Sequence, residues 1–174
     1  NALISNKGNF FIADTYINED PDAEQLAKGT LMCANEIKRF GIKPKVALVS
    51  NSNYGSRQDK DAVKMQLALE MIRAADPTLE IDGEMQADVA MDEEMRKSIF
   101  PETTLTGSAN LLVMPNVEAA NISYNLLRVN ATNGITVGPI LMGMNQPANI
   151  VTPTSTVRRI VNMIALTAVD AQRQ

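Results

Sequence analysis

Two textures alternate along the chain: short, almost unbroken apolar runs, and longer stretches in which apolar residues recur three and four positions apart. The first predicts strands and the second amphipathic helices. Residues 9–17, rich in aromatic and β-branched side chains, predict a strand. Asp20, Pro21 and Asp22 follow as a helix start, with a capping side chain and a proline for the first helical position. That helix carries Leu26, Cys33 and Ile37 among its apolar positions and stops at Phe40 and Gly41. Residues 45–50 predict a buried strand that opens into the polar loop 51–56. Val63, Leu67, Met71 and Ile72 then predict an amphipathic helix. A strand and loop from residue 80, a short acidic-led helix over 93–99 and a Thr/Ser/Gly-rich loop over 103–109 come next. Residues 110–114 predict another buried strand, 117–129 a helix, and 135–142 a strand-like run interrupted by Gly138 and Pro139. The last helix is capped by Ser155 or Thr156 and runs to the C-terminus, with Val157, Ile160, Val161, Ile164, Ala165 and Ala168 on one face. Strands and helices alternating without repeats or linkers predict one three-layer α/β/α unit.

Composition narrows the chemistry. A length of 174 residues suits one domain with a sizeable core, and the hydrophobic and charged shares of 45% and 21% fit a folded, soluble chain. No apolar run approaches the ~20 residues of a membrane span. The start, Asn1-Ala2-Leu3-Ile4, has neither a methionine nor the profile of a secretory signal, which points to a piece of a longer protein. A net charge of −4 argues against a general affinity for nucleic acid. The single cysteine, Cys33, allows no internal disulfide and fits a reducing, cytoplasmic setting. With no histidine at all, Ser-His-Asp and Cys-His nucleophile activation and histidine-ligated metal sites are excluded from this chain.

Two features could carry binding. The loop with Ser52, Asn53, Gly55 and Ser56 lies between a buried strand and a helix start, where backbone N–H groups can face a phosphate or carboxylate; a plain connection is the other reading. Arg158 and Arg159 stand in the first turn of the last helix, where the macrodipole disfavours cations. An anionic ligand would supply the reason, and two solvated side chains are the alternative. The acidic set Asp82, Glu84, Asp88, Asp92, Glu93 and Glu94 has no calcium-loop spacing and reads as a solvated face with helix N-terminal charge. Cys33 and the ten methionines read as core.

Several segments in a fixed order resemble the phosphate acetyltransferase/butyryltransferase family. They are Ile12-Ala13-Asp14-Thr15, Pro21-Asp22-Ala23-Glu24-Gln25-Leu26, Val46-Ala47-Leu48-Val49-Ser50 with Gly55-Ser56, Asp82-Gly83-Glu84-Met85-Gln86, Ala109-Asn110 to Pro115 with Ala119-Ala120-Asn121, and Gly138-Pro139-Ile140-Leu141-Met142-Gly143. The resemblance implies the isocitrate/isopropylmalate dehydrogenase-like three-layer fold with a mixed sheet. It makes residues 1–150 the second domain of a two-domain unit, and 151–174 a terminal helix that packs on the first domain. It also implies acyl-CoA binding near an interdomain cleft. Active transacetylases carry a Ser-Arg pair shortly before the last helix and an aspartate early in it. Here the matching residues are Thr152-Pro153 and Arg159. Proline offers no guanidinium and arginine accepts no proton, so the resemblance implies no catalytic residues in this chain.

The runs 50–56 and 152–163 resemble the C-terminal domain of hybrid malic enzymes. That resemblance implies a regulatory and oligomerising domain that binds acetyl-CoA as an inhibitor, in a homodimer or larger homo-oligomer. NADP and Mg or Mn would serve the separate module that converts malate to pyruvate. The expected ligand contacts are Ser52, Asn53, Gly55, Ser56, Gly138, Pro139, Gly143, Thr152, Arg158 and Arg159, with no metal site. An active phosphate acetyltransferase, making acetyl phosphate from acetyl-CoA and phosphate, is the alternative.

Overall fold

A computed structural model of the chain describes residues 1–5, 8–130, 134–153 and 155–172. Its strands are β1 (Ala2–Ser5), β2 (Gly8–Ala13), β3 (Lys45–Val49), β4 (Glu80–Met85), β5 (Leu111–Val113) and β6 (Ile135–Val137). The helices are α1 (Ala23–Arg39), α2 (Lys60–Ala75), α3 (Ala87–Met91), α4 (Glu93–Ile99), α5 (Val117–Asn130) and α6 (Val157–Ala171). Thr154 and the last two residues, which sequence places before and within the final helix, lie outside the described residues.

The strands form one sheet in the order β4-β3-β5-β2-β1-β6. β2 pairs parallel with β5, and β3 parallel with both β5 and β4, whereas β1 runs antiparallel to β2 and β6. The expected mixed sheet is therefore present. Sequence did not signal β1, whose Ala2 and Leu3 are nonetheless fully enclosed. Because β6 is antiparallel to β1, it points the same way as β2, β3, β4 and β5. All five strands thus end at one carboxyl edge.

Pleating divides the core in two. Phe11, Val46, Leu48, Leu111 and Val113 face α1 and α2, while Ile12, Ala47, Val49 and Leu112 face α3 and α5. Ile37, Met65 and Ile72, at 0–1% exposure, hold α1 against α2. Each such burial contributes about 1.5–3 kcal/mol.

Three local readings are corrected. The α1 cap is Asp22, not Asp20: its side chain accepts from Gln25 N–H at 2.8 Å while Gln25 Oε1 accepts from Asp22 N–H at 2.9 Å. This reciprocal capping box leaves Pro21 outside the helix. On α2 the buried stripe is Ala62, Met65, Ala68, Leu69 and Ile72, so the expected Leu67 and Met71 point outward. Small alanines let the helix sit close to the sheet on a face that large side chains alone did not mark. On α6 the predicted apolar face is the exposed one; Met163 and Arg159 turn inward.

Candidate functional site

The clearest concavity lies at the carboxyl edge of β2 and β5, where consecutive connections leave toward opposite faces of the sheet. Such a switch point is where open α/β sheets bind ligands. Its inner part is a cavity of about 160 Å³ between the ends of these strands, the segment after β2, one face of α1 and residues 139–142. Met32 and residues 140–142 also border a more open continuation of about 460 Å³ that runs along α1 past Gly143 and Met144. The two parts make one cleft walled by α1 on one side and the 139–150 segment on the other.

One rim is formed by the turn that starts at Asp14. Its carboxylate accepts from the N–H groups of Tyr16, Ile17 and Asn18 at 2.9, 3.1 and 2.9 Å, and from Asn18 Nδ2 at 2.8 Å. Burial pushes the Asp14 carboxyl up, but these donors outweigh it and hold it below the usual carboxylate range. Further along this rim Asp20 is clamped to α2 by Lys60 and by Lys64, whose Nζ lies 2.7 Å away. The two ammonium groups hold the Asp20 carboxyl at about 2. Cys33 faces the inner cavity from α1, and burial pushes its thiol up to about 11.

The opposite wall is fixed by α6. Gly138 closes β6 with φ +120°, where an added Cβ would come within 3.0 Å of Asn1 Oδ1, so only glycine suits this entry. Arg159, 9% exposed, donates from Nε to Gly138 O at 2.6 Å. Asn149 links the same wall to α6, accepting from Leu141 N–H at 3.0 Å and donating to Thr167 Oγ1 at 2.8 Å. At the far end of α6, Asp170 pairs with Arg39 of α1.

The residues expected from sequence fall into three groups. Pro139 and Gly143 line the cleft, and Gly138 begins its wall. Thr152, Arg158 and Arg159 gather at the start of α6. Thr152 N–H donates to Ser155 Oγ at 3.0 Å, Arg158 is exposed, and Arg159 is turned into the scaffold. Ser52, Asn53, Gly55 and Ser56 stand beyond β3, four strand positions from β6, which is about 19 Å at the usual strand spacing.

There the loop encloses a carboxylate of the chain itself. Glu84 Oε1 accepts from Ser52 Oγ at 2.6 Å and from Gly55 N–H at 2.9 Å, and the Glu84 carbonyl accepts from Tyr54 N–H at 2.8 Å. Ser56 Oγ accepts from Asn53 N–H at 2.9 Å, and Ser52 Oγ from Arg57 N–H at 3.0 Å. The backbone N–H donors assigned by sequence to an external anion are spent on Glu84, on Ser50 and on one another.

The acidic set is corrected in part. Asp82 and Glu84 are 2% and 1% exposed, not solvated. Asp82 pairs with Arg73 at 3.0 Å and accepts from Thr103 Oγ1 at 2.6 Å. Among the described residues, no three Asp, Glu or Cys side chains gather as a metal site would require. No described helix is long and apolar enough to cross a membrane. Sequence reasoning did not single out Asp14, Thr15, Asn18 or Met32 as lining residues. The usable signal was a carboxylate directly after a strand end, followed by a turn.

The family profile described as Phosphate acetyl/butaryl transferase matches residues 1–168. The chain is 56% identical over 174 residues to the NADP-dependent malic enzyme of Escherichia coli (strain K12), covering 100% of this chain and 23% of that protein. It is 40% identical over 168 residues to the phosphate acetyltransferase of Paracoccus denitrificans, covering 95% of this chain and 52% of that protein. A solved phosphotransacetylase from Streptococcus pyogenes superposes with a TM-score of 0.91 at 32% identity, over 99% of this chain and 53% of that one. The chain thus spans about a quarter of the malic enzymes it matches and between about a quarter and a half of the transacetylases. The similarity to the malic enzymes falls on their transacetylase-like C-terminal part. These matches bear out the resemblance read from the segment order, and the chain belongs to the phosphate acetyl/butaryl transferase family.

Proposed function

We propose that the chain is the acyl-CoA-sensing and assembly domain of a hybrid NADP-dependent malic enzyme, binding acetyl-CoA without transferring its acetyl group. The whole protein would oxidise malate to pyruvate and CO2 with NADP and Mg or Mn in a separate module. Its setting would be cytoplasmic, and its state a homodimer or larger homo-oligomer. The observation that carries this reading is the pair Pro153 and Arg159. Pro153 is exposed and cannot hold a phosphate, and the Arg159 guanidinium is engaged by Gly138 O where the family places a proton-accepting aspartate. In this reading the thioester end enters the cleft between α1 and residues 139–143, and Arg158 and Thr152 meet the phosphates. Ser52, Asn53, Gly55 and Ser56 then act with Glu84 as scaffold rather than as direct contacts.

The outward stripe of α6, with Val157, Val161 and Ile164 78%, 57% and 64% exposed, is in this reading the face that packs on the first domain of the two-domain unit. Calorimetric titration of the full-length protein with acetyl-CoA tests the reading. Heat of binding together with slowed malate oxidation is expected, with a coupling of about 1–3 kcal/mol between the two ligands. Silence in both measurements sinks it. The 40% identity to a phosphate acetyltransferase favours a second reading, a working transacetylase. Sustained acetyl phosphate formation from acetyl-CoA and phosphate, lost in Arg159→Ala, would establish that one instead.

A further inference from the structure

We infer that the outward face of α5 pairs with the same face of a second copy of this chain, the two helices antiparallel about a two-fold axis. The inference rests on the homo-oligomeric state proposed above and names a surface that builds it. Only Ala120 and Tyr124 of this 14-residue helix are buried, both toward the sheet. Opposite them Glu118, Ile122, Leu126 and Val129 recur at spacings of four, four and three, which puts them on one face of the helix. Ile122, Leu126 and Val129 are 53%, 61% and 80% exposed. Single exposed apolar side chains are ordinary, but three in a row on one helix face mark a contact surface.

The surrounding sequence is depleted of charge in the way interfaces are. Between Glu118 and Asp170 the chain has no Asp, Glu or Lys, and its only charges are Arg128, Arg158 and Arg159. Interface cores favour arginine and exclude lysine and acids. Charge also decides the occupant. Glu118 stands in the first turn of α5 and Arg128 in the last, and neither has an ion-pair partner among the described residues. About 15 Å of helix separates them, so they do not pair within one copy. Arg128 lies on the flank of the row, its guanidinium carbon 5.8 Å from the centroid of the Tyr124 ring. Antiparallel pairing with the axis between Ile122 and Leu126 sets each Ile122 against the partner's Leu126. It also brings each Glu118 within about one turn of the partner's Arg128. The face thus complements itself in polarity and charge. The outward face of α6 does not. Its first turn has no acid, Arg158 is exposed, and Asp170 at the other end is held by Arg39. Two α6 faces would gather arginines without carboxylates, so α5 takes the second copy.

Sedimentation of the full-length protein with charge reversals tests the assignment. Glu118→Arg and Arg128→Glu are each expected to weaken self-association about fivefold, and the double reversal to restore it, because only contact between copies brings the two positions together. Leu126→Glu is expected to weaken it at least about tenfold. All three side chains are exposed, so circular dichroism should be unaltered in every variant. Self-association that Leu126→Glu leaves unaltered, or that the double reversal fails to restore, overturns the α5 assignment while leaving a homo-oligomer built elsewhere. Lost thermal stability in Leu126→Glu with the oligomer intact also overturns it, by putting another part of the polypeptide on this face. A full-length protein that sediments as a monomer overturns both the assignment and the homo-oligomeric state.

Discussion

Glu84 shows how one buried side chain can replace a ligand. Its carboxylate anchors the buried Ser52 and the N–H of Gly55, so removing it leaves the Ser52 hydroxyl without its acceptor inside the protein. Glu84→Ala is therefore expected to cost about 3 kcal/mol in urea unfolding. Glu84→Gln should cost less, because the amide oxygen still accepts. The loop was legible from its small polar residues, but its occupant was not. Nothing local in Asp82-Gly83-Glu84 tells whether the acids face water or the loop 32 residues earlier, since β4's pairing with β3 decides it. Cys33 offers a second test. With its thiol pushed from 9.0 to about 11, the thiolate is scarce at pH 8, and alkylation by iodoacetamide should be far slower than in urea-unfolded chain. Because the raised value favours the neutral form, its contribution to stability holds below pH 9 and fades as pH rises toward 11.

The last helix joins the cleft wall to the rest of the domain through a small number of polar bonds. Arg159→Ala removes the bond to Gly138 O and is expected to destabilise by about 1–2 kcal/mol. The sharper readout is local: amide exchange across residues 139–150 should quicken while that of β3 and α2 stays slow. Most elements were readable in advance because their apolar periods are clean, and α1, β3, α4 and β5 sit close to where periodicity puts them. The faces of α2 and α6 were not. On α2, burial follows the alanines at 62 and 68; on α6, the apolar stripe looks outward and a cation is taken in. Periodicity finds a stripe, but not which neighbour it meets.

Over the whole molecule, acid should loosen the sheet at its β4 edge. Burial pushes the Glu80 carboxyl up, but Lys43 at 2.7 Å and the hydroxyl and N–H of Thr106 outweigh it and hold it at about 2. A depressed carboxyl stabilises above its unfolded value of 4.5, and that stability drains away as pH falls toward 2. Unfolding midpoints measured from pH 5 to pH 2.5 should therefore decline, and Glu80→Gln should flatten the decline. The effect is on the order of 1 kcal/mol once the exposure of Lys43 is discounted. The sheet order was not legible at all, because crossovers fix it rather than any one segment.

That order leaves the rim at Asp20 bolted to α2 by two ammonium groups, the exposed Lys60 and the buried Lys64. Ionic strength then becomes a tuning screw for the doorway. In dilute buffer both bonds hold, and at molar salt, where the screening length shrinks to about 3 Å, the exposed Lys60 bond slackens while the buried Lys64 bond is screened less. Visitors to the cleft would cross a looser threshold while the floor beneath them stays put.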